Sequence, residues 1–210
     1  MLPIDVFSDL ICPWCFIGKR RLDRIAAQLE FPIEVRWRAY QLRPGLPLDG
    51  VDRLEVLQQR YGASARLDAV PERLREEAHL EGIELRYDRM ARVPNTLPGH
   101  RLLAAAASDG VQHALADALF VAYFCAGEDL ADQSVLARIG QEAGMSSAVI
   151  EEALHGEAWV APVAEDLAAA VEHQVSGVPA MLLAGRYPLP GVQSDDVLLK
   201  VLRRAHERLT

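Results

Sequence analysis

The sequence predicts an α/β fold: a small mixed sheet flanked by helices and interrupted by a long, all-helical insertion. Three observations carry this. A strand–helix–strand pattern fills about the first 40 residues, a nearly continuous helical pattern follows to about residue 174, and strands return after Gly177.

Leu2-Pro3-Ile4-Asp5-Val6-Phe7-Ser8 reads as a short apolar strand, and Phe16 to Leu22 begins a helical pattern. Ile33 to Arg38 alternates apolar and polar residues, as a second strand does. A βαβ unit of this size implies a parallel pair with a right-handed crossover. Pro44, Gly45, Pro47 and Gly50 mark a loop. Helices are then expected over 51–61, from a Ser64 cap to residue 80 with Pro71 kinking or breaking it, and from a Thr96 cap to residue 107. Others cover 111–126, 132–143 behind Asp132, 146–156 behind Ser146, and 157–174. Residues 179–184 form a strand, Gly185-Arg186 a turn, and Tyr187-Pro188-Leu189 a short partner. Ser194 caps a closing helix with Asp195 and Asp196 in its first turn and Arg203 and Arg204 near its end, as the helix dipole favours. The division is therefore a sheet domain built from 1–48 and 157–210, with a helical subdomain over 49–156 between its halves.

Half of the 210 residues are apolar, enough for one sizeable core. A formal net charge of -8 argues against nucleic acid or an anionic membrane surface as partner. No apolar run approaches the roughly 20 residues that span a bilayer. Met1 to Asp5 lacks a basic segment followed by an apolar stretch, so no secretory signal is read. Three cysteines are too few for a disulfide framework. A cytoplasmic protein with a working thiol pair fits these features.

That pair is Cys12-Pro13-Trp14-Cys15, placed where the first strand hands over to a helix N-terminus. Free N–H groups and the positive end of the helix dipole stabilise a thiolate, which is the nucleophilic form. The two-residue gap lets the second sulfur attack a mixed disulfide formed on the first. Pro13 suits the first helical turn, where a missing N–H costs nothing.

With these residues in place the chain resembles the thioredoxin-fold DsbA family, specifically its FrnE-like branch. More remotely it resembles the 2-hydroxychromene-2-carboxylate isomerases and kappa-class glutathione transferases. The matching stretches are Asp9 to Gly18, Asn95-Thr96 with His100-Arg101, Gly177-Val178-Pro179, and Gly191-Val192-Gln193-Ser194, in family order along nearly the whole chain. The resemblance implies a disulfide oxidoreductase whose Val178–Pro179 bond is cis, exposing the backbone of Val178 to an extended substrate. A proline that merely begins a strand is the plainer alternative.

Cys12, at the cap, is expected to be the more exposed nucleophile, and Cys15, one turn in, the buried resolving thiol. Pro13 and Trp14 tune the pair. Trp14 brings no cation to the thiolate, so the Cys12 pKa should fall below the free value of about 8.5 without reaching the extreme of about 3.5. A reduction potential of roughly -200 to -230 mV follows. Asp9 reads as a loop residue, and Lys19 and Arg20 as a solvated helix face. A zinc half-site would need two further ligands at metal spacing, which Cys125 and the six histidines do not supply, so no metal is expected. Cys125 sits in an apolar helical stretch and reads as an inert thiol, with a third redox thiol as the minority reading. Asn95 and His100 match the region that lines the substrate cleft in the glutathione-using relatives. Asn95 serves equally well as a turn or cap residue, and His100 as a packed histidine.

Thiol–disulfide exchange on a disulfide-containing protein or small molecule is the leading function. No resident cofactor is expected, glutathione as co-substrate is left open, and so is a homodimer. A glutathione-dependent isomerase or transferase is second; in those relatives a serine usually stands where this chain has Cys12. A non-catalytic peptide-binding or chaperone module is third, since it has no need of a paired dithiol.

Overall fold

The computed structural model describes residues 1–209. Strand β1 (Leu2–Ser8) is followed by α1 (Pro13–Ala26) and β2 (Ile33–Ala39). The two strands pair in parallel from Leu2 opposite Ile33 to Ser8 opposite Ala39. A parallel pair needs a crossover, and α1 supplies it.

The insertion begins with β3 (Val51–Asp52) and α2 (Arg53–Tyr61), the latter capped by the Asp52 carboxylate accepting from Glu55 N–H. Helix α3 covers Glu72–Leu80 and β4 Arg92–Val93, which pairs antiparallel with β3. The insertion is thus helical apart from this one ribbon. Residues 64–70 are not helical, contrary to expectation: Pro71 is the N-cap of α3, and a proline disfavours helix in the residue before it. Then come α4 (Leu97–Ala105), α5 (Gln112–Val121) with a π-helical turn at Ala122–Ala126, α6 (Gln133–Glu142) and α7 (Ser147–His155). Gly127, at φ 78°, ends the π turn against Arg89, where a Cβ would stand 2.5 Å from the Arg89 side chain.

Helix α8 (Val160–Glu172) leads back to β5 (Ala180–Leu183), β6 (Tyr187–Pro190) and α9 (Asp195–Glu207). The sheet order is β2-β1-β5-β6, with β5 antiparallel to both neighbours. The free side of β2 is closed by side chains. Gln112 accepts from Trp37 N–H and donates to Trp37 C=O, and Asp166 accepts from Ala39 N–H.

Two contacts fix α1 in the molecule. Phe16 stacks on Phe120 and Phe124 of the insertion, at centroid distances of 5.3 and 6.1 Å. On another face, Arg21 bridges Glu77 and Glu81, and Arg24 bridges Glu81 and Asp195. These pairs tie α1 to α3 and α9. The Glu81 side chain is only 1% exposed, so its charge depends on these partners.

Candidate active site

Cys12 is the N-cap residue of α1, extended at φ -94° and ψ 109°, and Pro13 occupies the first helical turn. Cys12 C=O accepts from Cys15 N–H at 3.0 Å, which sets the two thiols one turn apart. Both are free. The Val178–Pro179 bond is cis, and Cys12 Sγ donates to Val178 C=O at 3.5 Å. The loop ahead of β5 and the first turn of α1 therefore meet at this sulfur. The contact extends to Gly18, where a Cβ would stand 3.2 Å from Pro179 Cγ.

Cys12 is 4% exposed and Cys15 1%. The order matches expectation, but Cys12 does not stand open to solvent as expected, because the Val178–Pro179 loop covers the cap. The two thiols are displaced in opposite directions. A hydrogen bond from Cys15 pulls Cys12 below the ordinary thiol range, aided by backbone N–H groups of Cys15 and Trp14; burial and the Asp9 carboxylate oppose this. Burial holds Cys15 well above that range, and its bond to Cys12 adds to the effect. The first sulfur is biased toward the thiolate and the second toward the thiol.

Asp9 is a residue that sequence reasoning undervalued. It is fully buried rather than a loop ornament. Its Oδ2 accepts from Leu42 N–H at 2.6 Å, and its Oδ1 lies 3.5 Å from His100 Nε2 without a hydrogen-bond donor. His100 Nε2 is 3.0 Å from Tyr40 C=O, an acceptor only, so the ring proton sits there and Nδ1 is left unpartnered. A lone aspartate just past the strand end, three positions ahead of the first cysteine, was the one available signal.

Asn95 is buried and saturated: Oδ1 accepts from Leu97 N–H and Gln41 Nε2, and Nδ2 donates to Leu46 C=O. It caps α4, a role that Thr96 does not fill with its own side chain. His100 is packed at 2% exposure against Asp9 and Tyr40. The structure thus brings Cys12, Cys15, Pro13, Val178 and Pro179 together, sets His100 behind them through Asp9, and gives Asn95 to the scaffold. Trp14 is half-buried with Arg73 5.7 Å above its ring, so a cation stands near the motif although the motif holds none.

Lys19 is 6% exposed and paired with Asp23 at 2.7 Å and Asp117 at 2.9 Å, not solvated as expected. Cys125, half-buried on the π turn, has its pKa raised by burial. Hollows of about 770 and 720 Å³ lie along α9 and beside α3, and neither touches a cysteine. One of about 520 Å³ has Ile11, the residue before Cys12, in its wall, though neither cysteine lines it.

Solved structures similar to this chain carry related names. The probable DsbA oxidoreductase of Streptomyces coelicolor is 29% identical with a TM-score of 0.84, covering 99% of this chain and 91% of its own. The cytosolic disulfide reductase DsbM of Pseudomonas aeruginosa, solved with GSH, is 22% identical at a TM-score of 0.65, covering 99% and 96%. A 2-hydroxychromene-2-carboxylate isomerase is 21% identical at 0.62, covering 99% and 95%. The last two likenesses concern the fold. The family assignment rests on the model of the DSBA-like thioredoxin domain, which matches residues 3–203, and the chain belongs to that family.

Proposed function

We propose that the protein exchanges thiols and disulfides through Cys12 and Cys15. The observation that carries this reading is two free thiols one turn apart at the start of α1, with Cys12 Sγ against the backbone of the cis Val178–Pro179 pair. The lowering of Cys12 and raising of Cys15 agree with it. Cys12 thiolate attacks one sulfur of a substrate disulfide. The S–S bond breaks, one substrate thiolate leaves, and a mixed disulfide forms on Cys12. Cys15 then loses its proton and attacks the Cys12 sulfur, expelling the second substrate thiol. The substrate gains two electrons and the pair becomes a disulfide, which a thiol such as glutathione resets. Val178 C=O, already at the sulfur, offers a backbone group to the incoming chain.

A cytoplasmic site of action agrees with this cycle, since a reducing compartment supplies the resetting thiol. Among the described residues no helix is long and apolar enough to cross a membrane. Two cysteines at the motif favour this reading over a glutathione-dependent isomerase, which needs one donor to a bound thiolate and no resolving sulfur.

Glutathione-disulfide or insulin turnover tests the proposal. Cys12→Ser should reduce it to background. Isomerisation that requires glutathione and survives Cys12→Ser would favour the isomerase reading instead.

A further inference from the structure

Arg21 and Arg53 are buried to a similar degree, at 7% and 8% exposure, and are matched very differently. Arg21 is held by the carboxylates of Glu77 and Glu81. Arg53, the first residue of α2, has no carboxylate partner among the described residues. Its Nη1 donates to Leu67 C=O and Tyr87 C=O at 2.9 and 3.0 Å, and its guanidinium lies 4.7 Å from the Tyr87 ring centroid. Among the described residues no protein group bonds its Nε or Nη2. Burial draws its pKa below the ordinary arginine value without neutralising so strong a base. A buried charge of this kind calls for a counter-ion.

Arg53 lines the cavity of about 520 Å³ that also has Ile11 in its wall. That volume suits a small molecule. Its walls include Met90, Val93 and Phe124, and no aspartate or glutamate lines it. Arg43, half-buried, and Arg60, exposed, add two further guanidiniums, neither paired with a carboxylate among the described residues. In a chain of net charge -8, three arginines lining one cavity with no aspartate or glutamate in its walls are an exception. One buried cation with apolar walls fits a monoanion carried on an apolar body, because a second negative charge would be desolvated there without a buried match. Arg43 and Arg60, nearer solvent, would draw such an anion in.

We propose that this cavity binds the apolar body and single carboxylate of a small organic disulfide, bringing its sulfur to Cys12. The chemistry rests on the dithiol reading; the binding does not. The Arg53 fork takes the carboxylate through Nε and Nη2, the edge left open, in the two-bond geometry arginine favours.

The test separates the two readings. In the Cys12→Ser, Cys15→Ser protein, calorimetry should show naphthoate binding about tenfold more tightly than uncharged naphthamide, as one charged hydrogen-bonded contact provides. Arg53→Gln should abolish that preference. If Arg53→Gln does not fold, the surface pair Arg43→Glu, Arg60→Glu should reduce it and weaken its salt dependence. In the reduced wild type, dithiobis(nitrobenzoate), with one carboxylate on each half, should react with saturation, and the arginine variants should lose rate on it but not on neutral dithiodipyridine. Naphthoate preference without any disulfide exchange keeps the cavity and removes the dithiol reading. Equal affinity for naphthoate and naphthamide, or a preference indifferent to the arginines, overturns the cavity whatever the thiols do.

Discussion

The first turn of α1 carries two sulfurs, a proline and a tryptophan, with no charged side chain of its own, whereas Lys19, Arg21 and Arg24 farther along are held by five carboxylates. Those carboxylates are Asp23, Asp117, Glu77, Glu81 and Asp195, reaching α1 from its own next turn, from α5, from α3 and just beyond it, and from α9. The difference teaches how one helix can be both anchored and reactive. A thiolate is stabilised at the first turn by N–H groups that no side chain caps, so this end must stay electrostatically plain. The anchoring is done where no chemistry takes place.

Breaking the reactive end should give the largest effect. With Cys15→Ser the mixed disulfide on Cys12 has no internal exit, so turnover of a protein disulfide should stop after one cycle. Intact-mass spectrometry should show the substrate adduct accumulating; sustained turnover would refute the resolving role. Breaking the anchored end acts on stability. Arg21→Ala leaves the part-exposed Glu77 unpaired and the buried Glu81 with Arg24 alone, and should cost about 2 kcal/mol in urea unfolding, the range for losing hydrogen bonds to charged groups. The comparison requires that the pH profile of Cys12 alkylation barely moves in that variant. The finest effect is at Asp9, whose carboxylate raises the Cys12 pKa. Asp9→Asn keeps an acceptor for Leu42 N–H and removes the charge. Thiolate then forms more readily, so the alkylation curve should shift to lower pH. A shift to higher pH would show that Asp9 acts in some other way.

Legibility in the sequence follows the range of the interactions. The bounds of β1 and the dipole-matched α9 depend on neighbours a few positions apart, and the parallel β1–β2 pair on two strands joined by one helix; all three were readable. So was the Asp132 cap, whose side chain accepts from Ser134 N–H. Residues 64–70 misled because Ser64 is a competent cap, yet Pro71 decides where the helix begins. Lys19 and Arg20 looked solvated because adjacent cations on a helix usually face water, while Asp117 reaches both from nearly 100 positions away. Burial of Cys12 comes from Val178, 166 positions distant, and burial of Asp9 from Leu42 and His100. The motif itself was legible; its microenvironment is assembled by remote chain.

Gln112 and Asp166 also stopper the rim of the sheet at the end nearest the sulfurs. On the opposite rim, β6 carries Pro188 and Pro190, which have no N–H to offer a newcomer. At that end the sheet cannot recruit a fifth strand from either flank. Under the proposed exchange, a polypeptide brought to Cys12 would find both lateral edges obstructed there, which leaves the short segment ahead of β5 as the backbone it could lie against.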